Sequence, residues 1–119
     1  MRLHHVGLIV SDLEAAAAFY EDVLGLRRDA RPDLGFPGIF YALDGGAQLH
    51  LMQIDDPYAG ISRPAHGGRD RHLALAVSDL QAIREHLDAA GVTYTPSRSG
   101  RQALFCRDPD GNAIELSEI

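Results

Sequence analysis

The sequence predicts an α+β protein in which a βαβββ module occurs twice. The main observation is an internal repeat, because His5–Leu13 (HVGLIVSDL) matches His72–Leu80 (HLALAVSDL) at an offset of 67 residues. Each copy is followed by a helical stretch and ends on a similar short segment, QLHL at 48–51 and AIEL at 113–116. The 119 residues suit one domain. We therefore expect a single domain over 1–119, with module one at 1–55, a linker at 56–71 and module two at 72–119.

Each module carries the same order of local signals. Alternating apolar residues predict its first strand, and a serine followed three residues later by Glu or Gln predicts a capping box at the helix start. Gly25 and Gly91 stand where a left-handed residue would end each helix. The capping pairs are Ser11 with Glu14 and Ser78 with Gln81. The later strands are expected at about 26–29, 38–43 and 47–53, then 93–95, 103–107 and 113–117.

These elements predict how the modules are built and combined. A curved four-stranded mixed sheet covered by a helix on its outer face has one open face left. The two modules are expected to pair so that their open faces form a cleft.

The open faces carry the candidate metal ligands. Strand alternation sends the large aliphatic residues under the helix and His5 and His72 to the opposite face. The closing strands likewise separate His50 and Glu115 from their aliphatic neighbours. Both modules thus place a potential ligand at both equivalent positions, which predicts a metal site made of His5, His50, His72 and Glu115.

Three imidazoles and one carboxylate suit one divalent ion per site, either Zn, Ni, Co, Fe or Mn, with positions left for water or substrate. Whether His50 is a direct ligand or supports one stays open. The other three histidines are expected outside the metal site. His4 and His86 should lie at the surface, and His66 should be a solvated loop residue, although the loop could carry it onto a substrate.

Composition excludes several other functions. The net charge is −6 and the chain contains no Lys, which argues against a nucleic-acid surface. The first ten residues do not form a signal peptide and no apolar run could cross a membrane, so we expect a cytoplasmic protein. Cys106 cannot form an internal disulfide and is expected to be a packed strand residue.

Longer motifs indicate a family. The segments HVGLIVSDLEAAAAFYEDVLGL, DRHLALAVSDL and RDPDGNAIEL resemble the vicinal oxygen chelate superfamily, which includes glyoxalase I, extradiol dioxygenases, fosfomycin-resistance thiol transferases and bleomycin-binding proteins. The resemblance covers nearly the whole chain. It implies a metal whose open positions bind oxygens of a small-molecule substrate. It fits lyase or isomerase chemistry, with Glu115 as both metal ligand and catalytic base.

The chain departs from the glyoxalase I pattern in two ways. The ligands of the bacterial enzymes are His, Glu, His and Glu, so His50 replaces a carboxylate. The glutathione-binding Arg and Asn of that pattern correspond to Ile9 and Ile54, which removes the charge-assisted contacts of a glutathione substrate.

Three alternatives stay open. An extradiol dioxygenase would use His5, His72 and Glu115 to hold Fe²⁺. A thiol transferase would need a cationic pocket, for which the sequence offers Arg69, Arg71, Arg98 and Arg101. An antibiotic-binding protein would share the fold without the metal ligands.

The repeat also bears on assembly. The two modules can close their cleft within one chain or, as in many small members of the superfamily, across a two-fold dimer, because the linker is long enough to reach a partner. Both arrangements bring the same ligands together. We expect a homodimer in which His5 and His50 of one chain meet His72 and Glu115 of the other.

Overall fold

A computed structural model describes all 119 residues and confirms the α+β class. The chain divides into two compact units, Met1–Ala59 and Gly60–Ile119. Each unit contains one four-stranded mixed sheet, with strand order β1-β4-β3-β2 in the first and β5-β8-β7-β6 in the second. No helix is long and apolar enough to cross a membrane. The strands are β1 (His5–Val10), β2 (Arg27–Asp29), β3 (Gly38–Ala42), β4 (Gln48–Gln53), β5 (His72–Val77), β6 (Tyr94–Pro96), β7 (Ala103–Arg107) and β8 (Ala113–Glu118).

The sheets repeat each other in register. In the first unit β1 runs parallel to β4 with Gly7 opposite His50, and in the second β5 runs parallel to β8 with Ala74 opposite Glu115. The remaining pairs, β2 with β3, β3 with β4, β6 with β7 and β7 with β8, are antiparallel. The internal repeat of the sequence is therefore a repeat of backbone pairing.

The helices begin one residue later than the capping boxes predict. Helix α1 (Leu13–Ala17) is capped by Asp12, and helix α2 (Leu80–Ala89) is capped by Asp79. The expectation of serine caps at Ser11 and Ser78 was wrong. In this Ser-Asp pair the carboxylate is the group that reaches the free N–H groups of the first turn, and its charge also suits the helix N-terminus.

A second pair of side chains fastens each helix to its sheet. Gln53 Oε1 accepts a hydrogen bond from the Leu13 N–H at 3.0 Å, and Glu118 Oε2 accepts one from the Leu80 N–H at 2.7 Å. Gln53 and Glu118 end the equivalent strands β4 and β8. The start of each helix is thus fixed to the strand that carries a candidate metal ligand.

The first helix changes form after Ala17, because Ala18–Val23 is a π-helical segment rather than the continuous α-helix that the sequence predicts. It buries Phe19 and Tyr20, and the Tyr20 ring lies 5.9 Å from that of Tyr41 on β3. Gly25 and Gly91 follow the helical segments with φ of 77° and 68°, as predicted.

The core of each unit consists of the aliphatic side chains on one sheet face and the apolar residues of its helix. In the first unit Leu49 and Leu51 are fully buried on either side of His50, as the alternation predicts. In the second unit Ile114 and Leu116 are buried, but so is Glu115. The open face expected at Glu115 is therefore covered, by Arg101, Ser117 and His72. Cys106 is buried on β7, as expected, and burial raises the pKa of its thiol to about 12.

Candidate metal centre

The first unit brings His5 and His50 together on one face of its sheet. Their rings stack with centroids 4.2 Å apart and planes within 11° of parallel. The Phe40 ring stacks on His50 at a centroid distance of 3.5 Å. His50 therefore lies near both His5 and an aromatic residue of the neighbouring strand, which restricts its orientation.

A chain of hydrogen bonds determines which nitrogen of His50 is free. Gln48 Nε2 donates to Asp29 Oδ2 at 2.8 Å, which orients the amide so that its Oε1 faces His50 Nε2, also at 2.8 Å. Because this oxygen only accepts, His50 Nε2 must donate, and Nδ1 keeps its lone pair. Burial and the nearby His5, His4 and Arg31 lower the pKa of His50. The neutral ring required for metal coordination is therefore favoured.

His4 supports His5 in the same unit. The two Nδ1 atoms lie 2.7 Å apart, so one ring donates to the other. His4 is exposed, as predicted, but this bond also makes it an orienting neighbour of a candidate ligand.

The second unit pairs His72 with Glu115. His72 Nδ1 donates to the backbone oxygen of Asp70 at 2.8 Å, which leaves Nε2 as the nitrogen that faces Glu115. Nε2 lies 3.3 Å from Glu115 Oε2. The lone pairs of His72 Nε2 and Glu115 Oε2 would repel each other at this distance unless a proton or a metal ion lies between the two atoms. The arrangement thus fits a cation.

Glu115 is held by further donors on its other oxygen. Oε1 accepts hydrogen bonds from Arg101 Nη2 at 3.0 Å and from Ser117 Oγ at 2.9 Å. These two residues, together with His72 and Phe105, surround a carboxylate that is only 3% exposed. The sequence suggested Arg101 for a substrate anion, whereas here it binds Glu115.

His66 is not the solvated loop residue that the sequence suggested. It is buried, its Nδ1 lies 2.8 Å from Thr95 Oγ1, and its ring contacts Phe105 edge-on at 5.0 Å. Phe105 makes a similar edge contact with His72 at 5.2 Å. The cause is that residues of the predicted linker pack on the second unit.

Arg107 fastens that segment. Its guanidinium donates to Asp70 Oδ2 at 2.8 Å and to the backbone oxygens of Pro64 at 2.6 Å and Gly111 at 2.7 Å. Arg63 approaches the same Asp70 oxygen at 3.5 Å. Asp70 in turn accepts the hydrogen bond from His72, so Arg107 supports a candidate ligand through one intermediate residue.

Sequence reasoning missed Phe40, Phe105 and Ser117. Phe40 and Phe105 are 65 positions apart in the sequence, as are His50 and Glu115. Phe40 pairs with His50 on the neighbouring strand, and Phe105 pairs with Glu115 in the same way. Ser117 follows Glu115 by two residues and therefore shares its face. Both signals were present in the sequence.

The structure thus brings the four predicted ligands together as two pairs, one within each unit. No group of three or more His, Cys, Asp or Glu residues is close enough to hold a metal ion. The chemistry of these side chains nevertheless fits a divalent ion. His50, His72 and Glu115 each use one nitrogen or oxygen in hydrogen bonds to neighbouring protein groups, and the other keeps a lone pair that could bind a metal. Ile9 and Ile54 offer no polar group, and Ile54 is 40% exposed just after β4.

A family model described as "Glyoxalase/Bleomycin resistance protein/Dioxygenase superfamily" matches residues 2–116, and the chain belongs to this superfamily. The chain is 34% identical to an ethylmalonyl-CoA/methylmalonyl-CoA epimerase from Cereibacter sphaeroides, over 99% of this chain and 98% of the relative. It is 31% identical to a lactoylglutathione lyase from Haemophilus influenzae, over 99% and 93% of the two chains.

Solved structures agree on the fold. A mutant of the fosfomycin resistance protein FosX from Listeria monocytogenes superposes with a TM-score of 0.77 at 20% identity, covering 98% of this chain and 91% of that one. That crystal structure holds Mn(II) and a dihydroxypropylphosphonic acid. The metal is a property of that structurally similar protein, and two named relatives of this chain are a lyase and an epimerase.

Proposed function

We propose that this protein is a metal-dependent enzyme of the vicinal oxygen chelate type, acting on a small oxygenated substrate by lyase or isomerase chemistry. The observation that supports it best is the pair of ligand-bearing positions that recur in both modules. In each module the two candidate ligands lie on neighbouring parallel strands. His50 pairs with the residue two positions after His5, and Glu115 pairs with the residue two positions after His72. A fold alone would not require polar residues at all four places.

The four side chains would together hold one divalent ion, either Zn, Ni, Co, Fe or Mn. When bound, the ion would supply Lewis-acid polarisation of a substrate oxygen. His72 would bind through Nε2, because its Nδ1 donates to Asp70, and His50 would offer Nδ1, because its Nε2 donates to Gln48. His50 would either bind the ion directly or support His5 through their stacked rings.

Glu115 would also act as the general base. It is the one carboxylate of the predicted set, and a proton taken from the substrate would go to one of its oxygens. Oε2 faces His72, whereas Oε1 accepts bonds from Arg101 and Ser117. Proton transfer to Oε1 would therefore require one donor to move away, and the Arg101 side chain, which is 65% exposed, has more room to do so than Ser117 on β8.

The substrate is proposed to differ from a glutathione conjugate. Ile9 and Ile54 replace the charged and amide groups expected for glutathione, although one relative is named a lactoylglutathione lyase. The other named relative is an epimerase of acyl-CoA compounds, which favours acid–base chemistry at a carbon next to a carbonyl group.

The alternatives are an extradiol dioxygenase, a thiol transferase and a non-catalytic antibiotic-binding protein. The first would need Fe²⁺ and O₂, and the family description includes dioxygenases. The thiol transferase has less support than at the sequence level, since Arg101 binds Glu115. The binding protein shares the family description but would have no use for four metal ligands.

The function is tested by reconstituting the purified protein with each metal and screening small hydroxy, keto and acyl-thioester substrates. The best activity should require metal, and Glu115→Gln should lose most of it while keeping the shape of the side chain. If Glu115→Gln retains metal and turns over at the wild-type rate, Glu115 is a ligand only. If ligand binding occurs without turnover for any metal, the binding-protein alternative stands.

We further propose that the site is shared across a homodimer, His5 and His50 coming from one chain and His72 and Glu115 from the other. Mixing His5→Ala protein with Glu115→Ala protein should restore one intact site per heterodimer, with the other doubly damaged. No recovery of metal binding after verified subunit exchange, or a monomer by light scattering at micromolar concentration, contradicts the shared site.

A further inference from the structure

We propose that Arg101 and Ser117 are positioning residues that clamp Oε1 of Glu115, so that Glu115 presents Oε2 as its single metal-binding oxygen beside His72. This inference rests on the proposed metal site and assigns a role to two residues outside the ligand set. It concerns the resting site, before any substrate proton is moved.

The two oxygens of Glu115 lie in different surroundings. Oε1 receives two hydrogen bonds, from Arg101 Nη2 and Ser117 Oγ, while Oε2 faces His72 Nε2 and accepts no hydrogen bond from the clamp. A buried carboxylate needs charge compensation and hydrogen bonds. Here the positive charge of Arg101 and both hydrogen bonds act on Oε1 alone. They therefore fix the rotation of the carboxylate about the bond that joins it to the side chain.

The clamp is itself anchored at both ends. Ser117 lies two residues beyond Glu115 on β8, so the strand places its hydroxyl on the same face. Arg101 is oriented by Ser99, whose Oγ accepts from Arg101 Nε at 3.0 Å. The loop is tied to the end of β8 by the Glu118 N–H, which donates to the Gln102 oxygen at 2.8 Å.

The first unit provides an internal comparison. At the 65-residue offset that relates Phe40 to Phe105, the positions of Arg101 and Ser117 correspond to Phe36 and Met52. The residue equivalent to Glu115 in that unit is His50, an imidazole rather than a carboxylate, and its hydrogen-bond partner is Gln48. The clamp therefore occurs only in the module whose ligand is a carboxylate, which links it to that ligand rather than to the repeated fold.

The consequence is a one-oxygen ligand in a defined direction. Loss of the clamp would let the carboxylate rotate or bind the metal through both oxygens. Partners that orient a metal ligand are typically worth about 10- to 100-fold in metal affinity. Removing both donors should also change the number or geometry of the bonds at the metal, because Oε1 becomes available to it.

The test uses the full chain loaded with Co²⁺, whose visible absorption depends on ligand number and geometry. The variants are Arg101→Gln, Arg101→Lys, Ser117→Ala and the Arg101→Gln/Ser117→Ala double variant. The matched control is Arg98→Gln, an arginine of the same loop that does not bind Glu115. Affinity is measured by competition with a chelator, and circular dichroism verifies folding.

We expect Arg101→Gln and the double variant to lose about 10-fold or more in Co²⁺ affinity and to shift the absorption spectrum. Arg101→Lys should recover part of the affinity, and Arg98→Gln should behave as wild type. Wild-type affinity and an unchanged spectrum in the folded double variant would overturn the clamp while leaving the metal site intact. A wild-type protein that binds no Co²⁺, Zn²⁺, Ni²⁺, Fe²⁺ or Mn²⁺ would overturn the clamp and the proposed function together.

Discussion

Replacing Arg107 with Gln should destabilise the second unit by about 2–4 kcal/mol, because three hydrogen bonds from one cation are lost. Its bonds to Asp70, Pro64 and Gly111 are 2.6–2.8 Å long. Bonds to a charged group contribute about 1.5–3 kcal/mol each, but they are not additive when one side chain makes them all. Arg107 is 25% and Asp70 10% exposed, so solvent screening reduces the sum only in part.

The matched control for this prediction is Arg63→Gln. Arg63 reaches the same Asp70 oxygen, but at 3.5 Å and with one contact, so its loss should cost about 0–1 kcal/mol. Urea unfolding followed by circular dichroism gives both values, and hydrogen exchange localises the change. Faster exchange is expected at 63–70 in Arg107→Gln. A cost below about 1 kcal/mol, or one equal to that of Arg63→Gln, refutes the reasoning.

Two further predictions concern ionisable groups. Arg28 and Tyr41 donate hydrogen bonds to Glu21 and hold the pKa of its carboxyl below the usual range. These bonds therefore stabilise the folded protein fully at pH values above the pKa of Glu21 in the unfolded chain. The stabilisation is lost as the pH falls through the lower pKa of the folded protein. Tyr41→Phe should cost about 1 kcal/mol near neutral pH and less below about pH 4, and a deficit independent of pH would contradict this explanation. The Cys106 thiol, buried with its pKa raised to about 12, should react with a disulfide reagent on the order of 100-fold more slowly in the native protein than in urea. Equal rates in the native and unfolded protein would show that the thiol is accessible.

Much of the fold could be predicted because the repeat constrains both copies at once. A strand that alternates HVGLIV in one module and HLALAV in the other leaves little choice of register. The equivalent pairing of Gly7 with His50 and of Ala74 with Glu115 agrees with that alternation. The candidate ligands were proposed for the same reason, since two equivalent strand positions carry a polar group in both modules.

Other features could not be predicted, because they depend on contacts distant in sequence. His66 is buried in the Pro64–Asp70 segment, and this segment accepts hydrogen bonds from Arg107, which is 41 residues from His66. The bond from Arg101 to Glu115 joins a loop to a strand 14 residues away. The sequence at Ala18–Val23 is that of an ordinary amphipathic helix, so the π-helical form has no local signal. The serine caps failed because two adjacent residues, Ser and Asp, both suit the N-cap.

The most direct test of the central claim is the metal content of the purified protein. After reconstitution with Ni²⁺, Zn²⁺, Mn²⁺ and Fe²⁺ and removal of excess metal, elemental analysis should find about one divalent ion per chain with at least one of them. The His5→Ala/Glu115→Ala double variant should contain none, while His86→Ala, which removes an exposed histidine on α2, should match wild type. A wild-type protein without metal under all four conditions, or a double variant that keeps its full complement, would contradict the proposed site.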